Sequence, residues 1–366
     1  MKDRFQHFNS GRVNFFLLAI ITVKLFGAVL KITASVVVPF TVSLLLAVVA
    51  NLIVKFLERF HIPRIVSIVL ILFLMLGTFV FMGIVLYKSG QSLLKVYPKY
   101  EDRLTEIYSY IARLFDLPYD QHLSFFDNLW GQIDVRNRVR IMTLSLSNAF
   151  LVFLKDAFMV LLFMVFLLLE TVFLREKLEK AFEGRVLQIR RISSDLIAQV
   201  TRYLSMKFIF SAITGIIIGF CLRIVGLEFA AVWGVIQFVV NFIPNIGSIA
   251  VGIAATAFSV IQFWPEPGPI VATGLIMLCV NLSIGSVIEP KIMGDRLGLS
   301  PLVILISLLI WGWLWGFVGL ILAVPMMAII KIVCENVPML EPISILLGSR
   351  RAVKAARSGE DSSGEL

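Results

Sequence analysis

Apolar and polar stretches alternate along the chain, and the apolar stretches contain few or no charged residues. Several of them approach the roughly 20 helical residues that cross a hydrocarbon layer about 30 Å thick. The pattern therefore predicts an all-α, polytopic helical membrane protein with about six full spans. The predicted spans are residues 13–30, 36–54, 65–87, 145–169, 208–222 and 270–289. The first is the least regular, because Lys24 lies inside it and must reach the interface or a polar partner.

Two further apolar runs, residues 229–264 and 297–330, are each too long for one crossing. As single helices they would measure about 50 Å, against a core of about 30 Å. The first is interrupted by the sequence from Pro244 to Gly247, and the second by the sequence from Trp311 to Gly316. Proline removes a backbone donor and glycine lets the chain reverse. We therefore predict that each run is a re-entrant helical hairpin.

The distribution of basic residues gives an independent indication of topology. With two hairpins and a cytoplasmic N-terminus, the basic loops and the basic C-terminal tail all fall inside, as the positive-inside rule requires. If each run instead made one full crossing, Lys291 and Arg296 would lie in a short external loop, against that rule. This comparison favours the hairpins.

Residues 88–142 have a different character, with mixed charges and an apolar stripe at heptad spacing. The stripe predicts an amphipathic helix outside the bilayer, packed on another subunit, on its own domain or on the lipid interface. Its positions are Leu93, Tyr97, Tyr100, Leu104, Ile107, Ile111 and Leu114. The predicted organisation is N-terminal spans (1–87), an extracytoplasmic amphipathic insert (88–144), a fourth span (145–174), a cytoplasmic basic helix (175–206), a transport core with the two hairpins (207–333) and a cytoplasmic tail (334–366).

Composition supports a membrane protein and argues against several other classes. Hydrophobic residues make up 59% of the chain and charged residues 16%, with a mean hydropathy of +0.93, so a single water-soluble core could not absorb them. The net charge is +9. The basic residues border the apolar runs and form no continuous stripe with interleaved aromatic residues, which argues against nucleic acid as a partner. The three cysteines and three histidines show no metal-ligand spacing, and we predict neither a metal nor a cofactor. Membrane lipid is the expected surrounding.

The interruption of the first long run is the leading candidate for a substrate site. Broken helices at membrane depth are tolerated where the freed backbone lines a wet cavity or is buried in protein. Neutral donors and acceptors at this break suit a hydroxylated solute or a partly dehydrated cation, although the amides could instead cap the two half-helices. The candidate residues are Gln237, Asn241, Pro244, Asn245, Gly247 and Ser248.

Other polar and aromatic residues later in the chain are further candidates. Asn281 precedes Glu289, a carboxylate at the end of a span, where it must be paired, solvated or used. Glu289 with Lys291 or Arg296 could form a gate or a proton site, or a solvated interfacial cluster. Trp311 and Trp315 could stack on a sugar-like ring, or could anchor the protein at the interface.

Five motifs together resemble the autoinducer-2 exporter family of bacterial membrane proteins, most specifically between about Gly215 and Lys331. They are Asn241-Phe-Ile-Pro-Asn-Ile-Gly247, Glu289-Pro-Lys-Ile-Met-Gly294, Leu297-Gly-Leu-Ser-Pro301, Trp311-Gly-Trp-Leu-Trp-Gly316 and Ala323-Val-Pro325. The resemblance implies a multi-pass protein of the bacterial inner membrane that exports autoinducer-2 or a related small polar signalling molecule. It also implies sodium or lithium/proton antiport as the alternative, and a homo-oligomer.

Three other classes of function fit the sequence less well than secondary export. No Gly-rich phosphate-binding loop is present, so direct use of ATP would need another subunit. A membrane enzyme would need a nucleophile and base or a metal cluster, which the sequence does not show, so we predict that the protein is not an enzyme. A purely structural role would rest on the heptad stripe, and charges placed along it would test that role.

Overall fold

Helices form every regular element in the part of the chain that the structure, a computed structural model, describes. That part comprises residues 10–115, 135–181, 186–244, 246–293, 298–336 and 340–348. The helices are α1 (Ser10–Ile32), α2 (Ala34–Glu58), α3 (Arg64–Phe115), α4 (Val135–Ala181), α5 (Val186–Val225), α6 (Ala230–Val240), α7 (Ile246–Phe263), α8 (Pro267–Val280), a π-helix (Asn281–Ile288), α9 (Glu289–Met293), α10 (Pro301–Asn336) and α11 (Glu341–Leu347). The predicted all-α fold is confirmed.

Seven helical segments in the described ranges are long and apolar enough to cross a membrane. Five of them correspond to the second to sixth predicted spans: Ala34–Glu58, Arg64–Ser92, Asn148–Glu170, Ala198–Val225 and Pro267–Ile292. The other two lie in the long runs. The first predicted span forms α1, which packs against α2 and α10, and its crossing of the membrane stays a prediction.

The first long run folds back on itself as hairpin 1, which we define as α6, the turn that follows it and α7. Near its open end, the rings of Trp233 and Phe258 lie 5.8 Å apart. At its apex, the side chains of Gln237 and Ser248 are hydrogen-bonded. The turn itself requires glycine, because a Cβ atom at Gly247 would overlap the carbonyl oxygen of Val240. Both ends of hairpin 1 therefore lie on the same side; that it re-enters the bilayer from that side stays a prediction.

The second long run is also a hairpin, hairpin 2, although its helical geometry continues almost without interruption through α10. The chain reverses at Gly316, whose φ of 61° and ψ of −136° are accessible to glycine and strained for other residues. The reversal brings the Ser307 hydroxyl to within 2.7 Å of the Ala323 carbonyl, to which it donates. At the apex, the Trp315 indole donates to the carbonyl of Leu30 at the end of α1, over 3.2 Å.

The two hairpins point in opposite directions along α5 and meet in one hydrophobic cluster. Hairpin 1 opens near the end of α5, where the backbone of Leu227 hydrogen-bonds to Leu222. Hairpin 2 opens near the start of the α5 span, where Tyr203 packs with Ala328. Between these ends, the shared cluster joins both hairpins to α2 and α5 through Leu45, Val200, Ile243, Leu308, Trp311 and Trp315, among others.

Close packing between α5 and α6 depends on small residues. A Cβ atom at Gly215 would lie 2.6 Å from the carbonyl oxygen of Gly234, and Gly219 also faces Gly234. Gly215 and Gly219 are four residues apart, a spacing of small residues that lets two helices approach closely. The backbones of α5 and α6 thus run side by side in opposite directions.

The helices run on across the polar stretches that border the spans. α3 has 52 residues, about 78 Å at 1.5 Å per residue, so the third span and the start of the amphipathic insert form one helix. Within the stripe, Tyr100 is buried against hairpin 1, whereas Ile111 and Leu114 are exposed. The basic stretch 175–206 is shared between the end of α4 and the start of α5.

Candidate functional site

Five uncharged polar side chains meet at the apex of hairpin 1, and we call them the apex network: Ser211, Gln237, Asn241, Ser248 and Asn281. The Gln237 amide nitrogen donates to Ser248 Oγ over 3.2 Å and to Asn281 Oδ1 over 3.0 Å. The Ser248 hydroxyl donates to Asn241 Oδ1 over 2.9 Å. The Asn241 amide nitrogen then donates to Ser211 Oγ over 3.0 Å. Four of the five were predicted from the sequence, and the structure brings those four together.

Local helix geometry explains how these side chains converge. Gln237 and Asn241 are four residues apart, so they share one face of α6. Ser248 lies in the first turn of α7, directly after the reversal. Asn281 begins the π-helix, an element that is rare and often found at functional sites. The π-helix is favoured by Pro290, which cannot donate the backbone hydrogen bond that a continuous α-helix would need there.

Three members of the apex network are buried and two, Ser248 and Asn281, are half-buried, and one acceptor has no partner in the described part of the chain. Ser211 and Gln237 have no exposed surface, and Asn241 is 6% exposed. Gln237 Oε1 accepts no hydrogen bond. A buried acceptor without a donor costs about 1–3 kcal/mol, so this oxygen favours a ligand that brings a donor. The network itself carries no charge.

The alternative that these amides only cap the half-helices receives little support. Their hydrogen bonds run mainly from side chain to side chain. A single long contact, 3.5 Å from the Asn281 amide nitrogen to the Ser248 carbonyl, reaches the backbone. A cap would instead satisfy the free backbone groups at the helix ends.

Glu289 forms an ion pair with Lys207, which the sequence did not predict. The Lys207 ammonium lies 2.6 Å from Glu289 Oε1, and the two side chains are 7% and 14% exposed. The sequence suggested Lys291 or Arg296 as the partner. Instead Lys291 is exposed and Arg296 lies outside the described residues. Lys207 becomes the partner because α5 packs along the end of the sixth span.

The remaining predicted site residues occupy different surroundings. Trp311 and Trp315 are buried in the cluster between the hairpins, with ring centroids 4.8 Å apart. They contribute packing there, beside Ile243 of the hairpin 1 turn. Pro244 and Gly247 form that turn, and Asn245 lies outside the described residues.

Sequence reasoning missed Ser211 and Lys207, both of which α5 contributes. A signal existed, because Lys207, Ser211, Gly215 and Gly219 recur every four residues and so share one helix face. The two glycines mark the packing face of α5. Extending the same face by two turns would have included the serine and the lysine.

A second polar cluster lies at the open end of hairpin 1, where the amphipathic part of α3 contacts it. Glu228 accepts hydrogen bonds from the Lys99 ammonium, over 2.8 Å, and from the Tyr100 hydroxyl. Gln262 Oε1, near the end of α7, accepts a hydrogen bond from the backbone N–H of Glu228, just before α6, over 2.7 Å. This bond links the two ends of hairpin 1. Burial and the Glu228 carboxylate raise the pKa of Tyr100. Burial opposes ionisation of Glu228, but the Lys99 and Tyr100 contacts outweigh it and lower its pKa.

Comparisons with known proteins cover nearly the whole chain. The family model for AI-2E family transporters matches residues 15–339. The AI-2 transport protein TqsA of Escherichia coli K12 is 31% identical over 327 residues, which are 87% of this chain and 91% of TqsA. A candidate transport protein of Borreliella burgdorferi is 30% identical over 339 residues, 92% of this chain and 91% of that protein.

Proposed function

The chain belongs to the AI-2E transporter family and is a multi-pass transport protein of the inner membrane, and from this premise we propose that it exports a small, neutral, hydroxylated signalling molecule such as autoinducer-2. The relative TqsA carries the name of an AI-2 transport protein. The proposed binding residues are those of the apex network. Transport is secondary, driven by the gradient of the solute or of an ion.

The observation that carries this proposal is the unpartnered oxygen of the fully buried Gln237 within an uncharged network. A solute hydroxyl would donate to that oxygen and could accept from neighbouring amides in exchange. A charged solute would lack a compensating charge among the five side chains, and unpaired charges are expensive to desolvate. The network therefore supports a neutral solute with several hydroxyl groups.

The test is transport by purified protein in liposomes, with autoinducer-2 and sodium followed separately. Gln237→Met removes the free acceptor and its two donated hydrogen bonds, and we expect it to lower autoinducer-2 transport by about tenfold or more, as befits lost polar contacts in a desolvated site. Thr273→Val is the matched control, because Thr273 is also fully buried but bonds only within its own helix. Equal transport by both variants would contradict the proposal.

A second candidate function, sodium or lithium/proton antiport, is favoured by the buried pair of Lys207 and Glu289. A carboxylate and an ammonium in contact inside spans are costly to bury and commonly mark ion pathways. Antiport would appear as sodium movement that depends on a pH gradient, occurs without autoinducer-2 and is abolished in Glu289→Gln. Its presence would move the functional centre from the apex network to the ion pair.

A further inference from the structure

The face of α5 that lies on hairpin 1 changes character along its length. From the end of α5 backwards it presents Gly219 and Gly215 against Gly234, and then Ser211 against Asn241. The next residue on this face is Lys207, one helical turn or about 6 Å further on. Because α5 and α6 run in opposite directions, Lys207 is level with the turn of hairpin 1, beyond the last residue of α6.

Along the sixth span, as along this face of α5, a residue of the apex network is accompanied by a charged residue that lies further from the open end of hairpin 1. Asn281 belongs to the apex network, and Glu289 follows eight residues later at the far end of the π-helix. The Lys207–Glu289 pair therefore lies beside the apex network, on the side remote from Glu228 and the open end of hairpin 1. Tyr203, one turn before Lys207, packs on hairpin 2.

Stability alone does not account for this pair. Two charges taken out of water recover by mutual attraction little more than their desolvation costs, and well-packed apolar residues would serve as well. A pair contributed by two different elements, α5 and the end of span 6, differs from apolar packing in one respect. It holds the elements together through a short contact that can break and re-form as a unit.

We propose that Lys207 and Glu289 form a gate that closes the apex network on the side where the α5 span begins. This inference rests on the proposed function, since it assumes that the apex network binds the solute. In the structure described here the gate is closed, with both side chains almost fully buried. Passage of solute on that side requires the two side chains to separate.

The rate of chemical labelling at the apex network measures its accessibility, and it tests the gate without any transported solute. The reporter is Ser248→Cys in a chain whose Cys221, Cys279 and Cys334 are replaced by alanine, and the probe is a membrane-impermeant maleimide added to right-side-out or inside-out vesicles. We expect Glu289→Gln and Lys207→Met each to raise the rate of labelling from the side where the α5 span begins (the α5-start side) by about tenfold or more. This is the scale expected for loss of a hydrogen bond between charged groups. Labelling from the opposite side should not change.

Two further variants separate a gate from a general loosening of the fold. The exchanged pair Lys207→Glu with Glu289→Lys restores the contact and should return labelling to the level of the intact pair. Glu228→Gln, which removes a carboxylate at the other end of hairpin 1, should leave labelling from the α5-start side unchanged. Faster labelling from both sides, or an exchanged pair as accessible as the single variants, would overturn the proposal.

The labelling measurement also separates the gate from the proposed solute. If labelling responds as expected but autoinducer-2 is not transported, the proposed solute is wrong and the gate stands.

Discussion

At the scale of single residues, the site combines groups that lie at a recognisable helix break with groups that a different helix contributes. Gln237, Asn241 and Ser248 flank an obvious helix break, so their polarity within an apolar run was itself a signal. Ser211 and Lys207 belong to α5, which contacts the site through helix packing. Their local sequence does not indicate which residues they contact. Long-range pairing of this kind depends on how helices pack together.

The ion pair gives the sharpest prediction for stability. Glu289→Gln should lower the thermal unfolding midpoint in detergent strongly, because breaking a buried pair and leaving Lys207 uncompensated costs about 3–5 kcal/mol. Replacing both residues, as Lys207→Met with Glu289→Met, should recover most of the loss. A double variant no more stable than Glu289→Gln would show that burial of an unpaired charge is not the cause.

At the scale of elements, both helix reversals were predicted correctly because their causes are local. The turn of hairpin 1 contains proline, asparagine and glycine, and hairpin 2 reverses at Gly316. Proline restricts the backbone at its own position, whereas glycine permits conformations that other residues rarely adopt. The end of the third span was harder to predict. A change from apolar to charged sequence at Lys88 indicated a boundary, yet α3 leaves the apolar region without ending, because a helix needs no change of backbone at a membrane surface.

Gly316 offers a test of hairpin 2 through backbone strain. Gly316→Ala places a side chain at a φ of 61°, in a region that costs other residues about 1–3 kcal/mol. We expect a lower thermal unfolding midpoint. Gly77→Ala is the control, because Gly77 lies within α3 with no neighbouring atom within 4 Å of the added Cβ and should be neutral or stabilising. Equal midpoints for the two variants would contradict the reversal at Gly316.

The contact between α3 and hairpin 1 should depend on pH in a defined direction. The folded protein lowers the pKa of Glu228 below its ordinary 4.5, so this contribution to stability is present above pH 4.5 and is lost as pH falls through the lowered pKa. The intact protein should therefore unfold at a higher temperature than Glu228→Gln at neutral pH. The difference should disappear in acid, and a difference independent of pH would contradict the role of the carboxylate.

At the scale of the whole molecule, the sequence established the class of protein and the structure established how its parts are arranged. Hydropathy and basic loops indicated spans and orientation, because the bilayer imposes them on every segment separately. The opposite directions of the two hairpins and their common cluster follow from packing among α2, α5 and α10.

Assembly into a homo-oligomer, which the family resemblance implies, stays a prediction that the heptad stripe can test. Tyr100 packs on hairpin 1 of its own chain, whereas Leu114 is 67% exposed. If the exposed half of the stripe is a subunit contact, Ile111→Glu with Leu114→Glu should reduce the oligomeric mass measured in detergent without changing the helical content. An unchanged oligomer would place the subunit contact elsewhere.

The central claim, that a neutral solute binds at the apex of hairpin 1, is tested most directly by comparing two serines of the same helix. Ser248 belongs to the apex network, whereas Ser259 is fully buried but bonds only to Thr256 within α7. In liposomes, Ser248→Ala should raise the concentration of autoinducer-2 needed for half-maximal transport by several-fold, about the effect of losing one to two hydrogen bonds. Ser259→Ala should transport like the unsubstituted protein. Identical transport by the two variants would contradict the account.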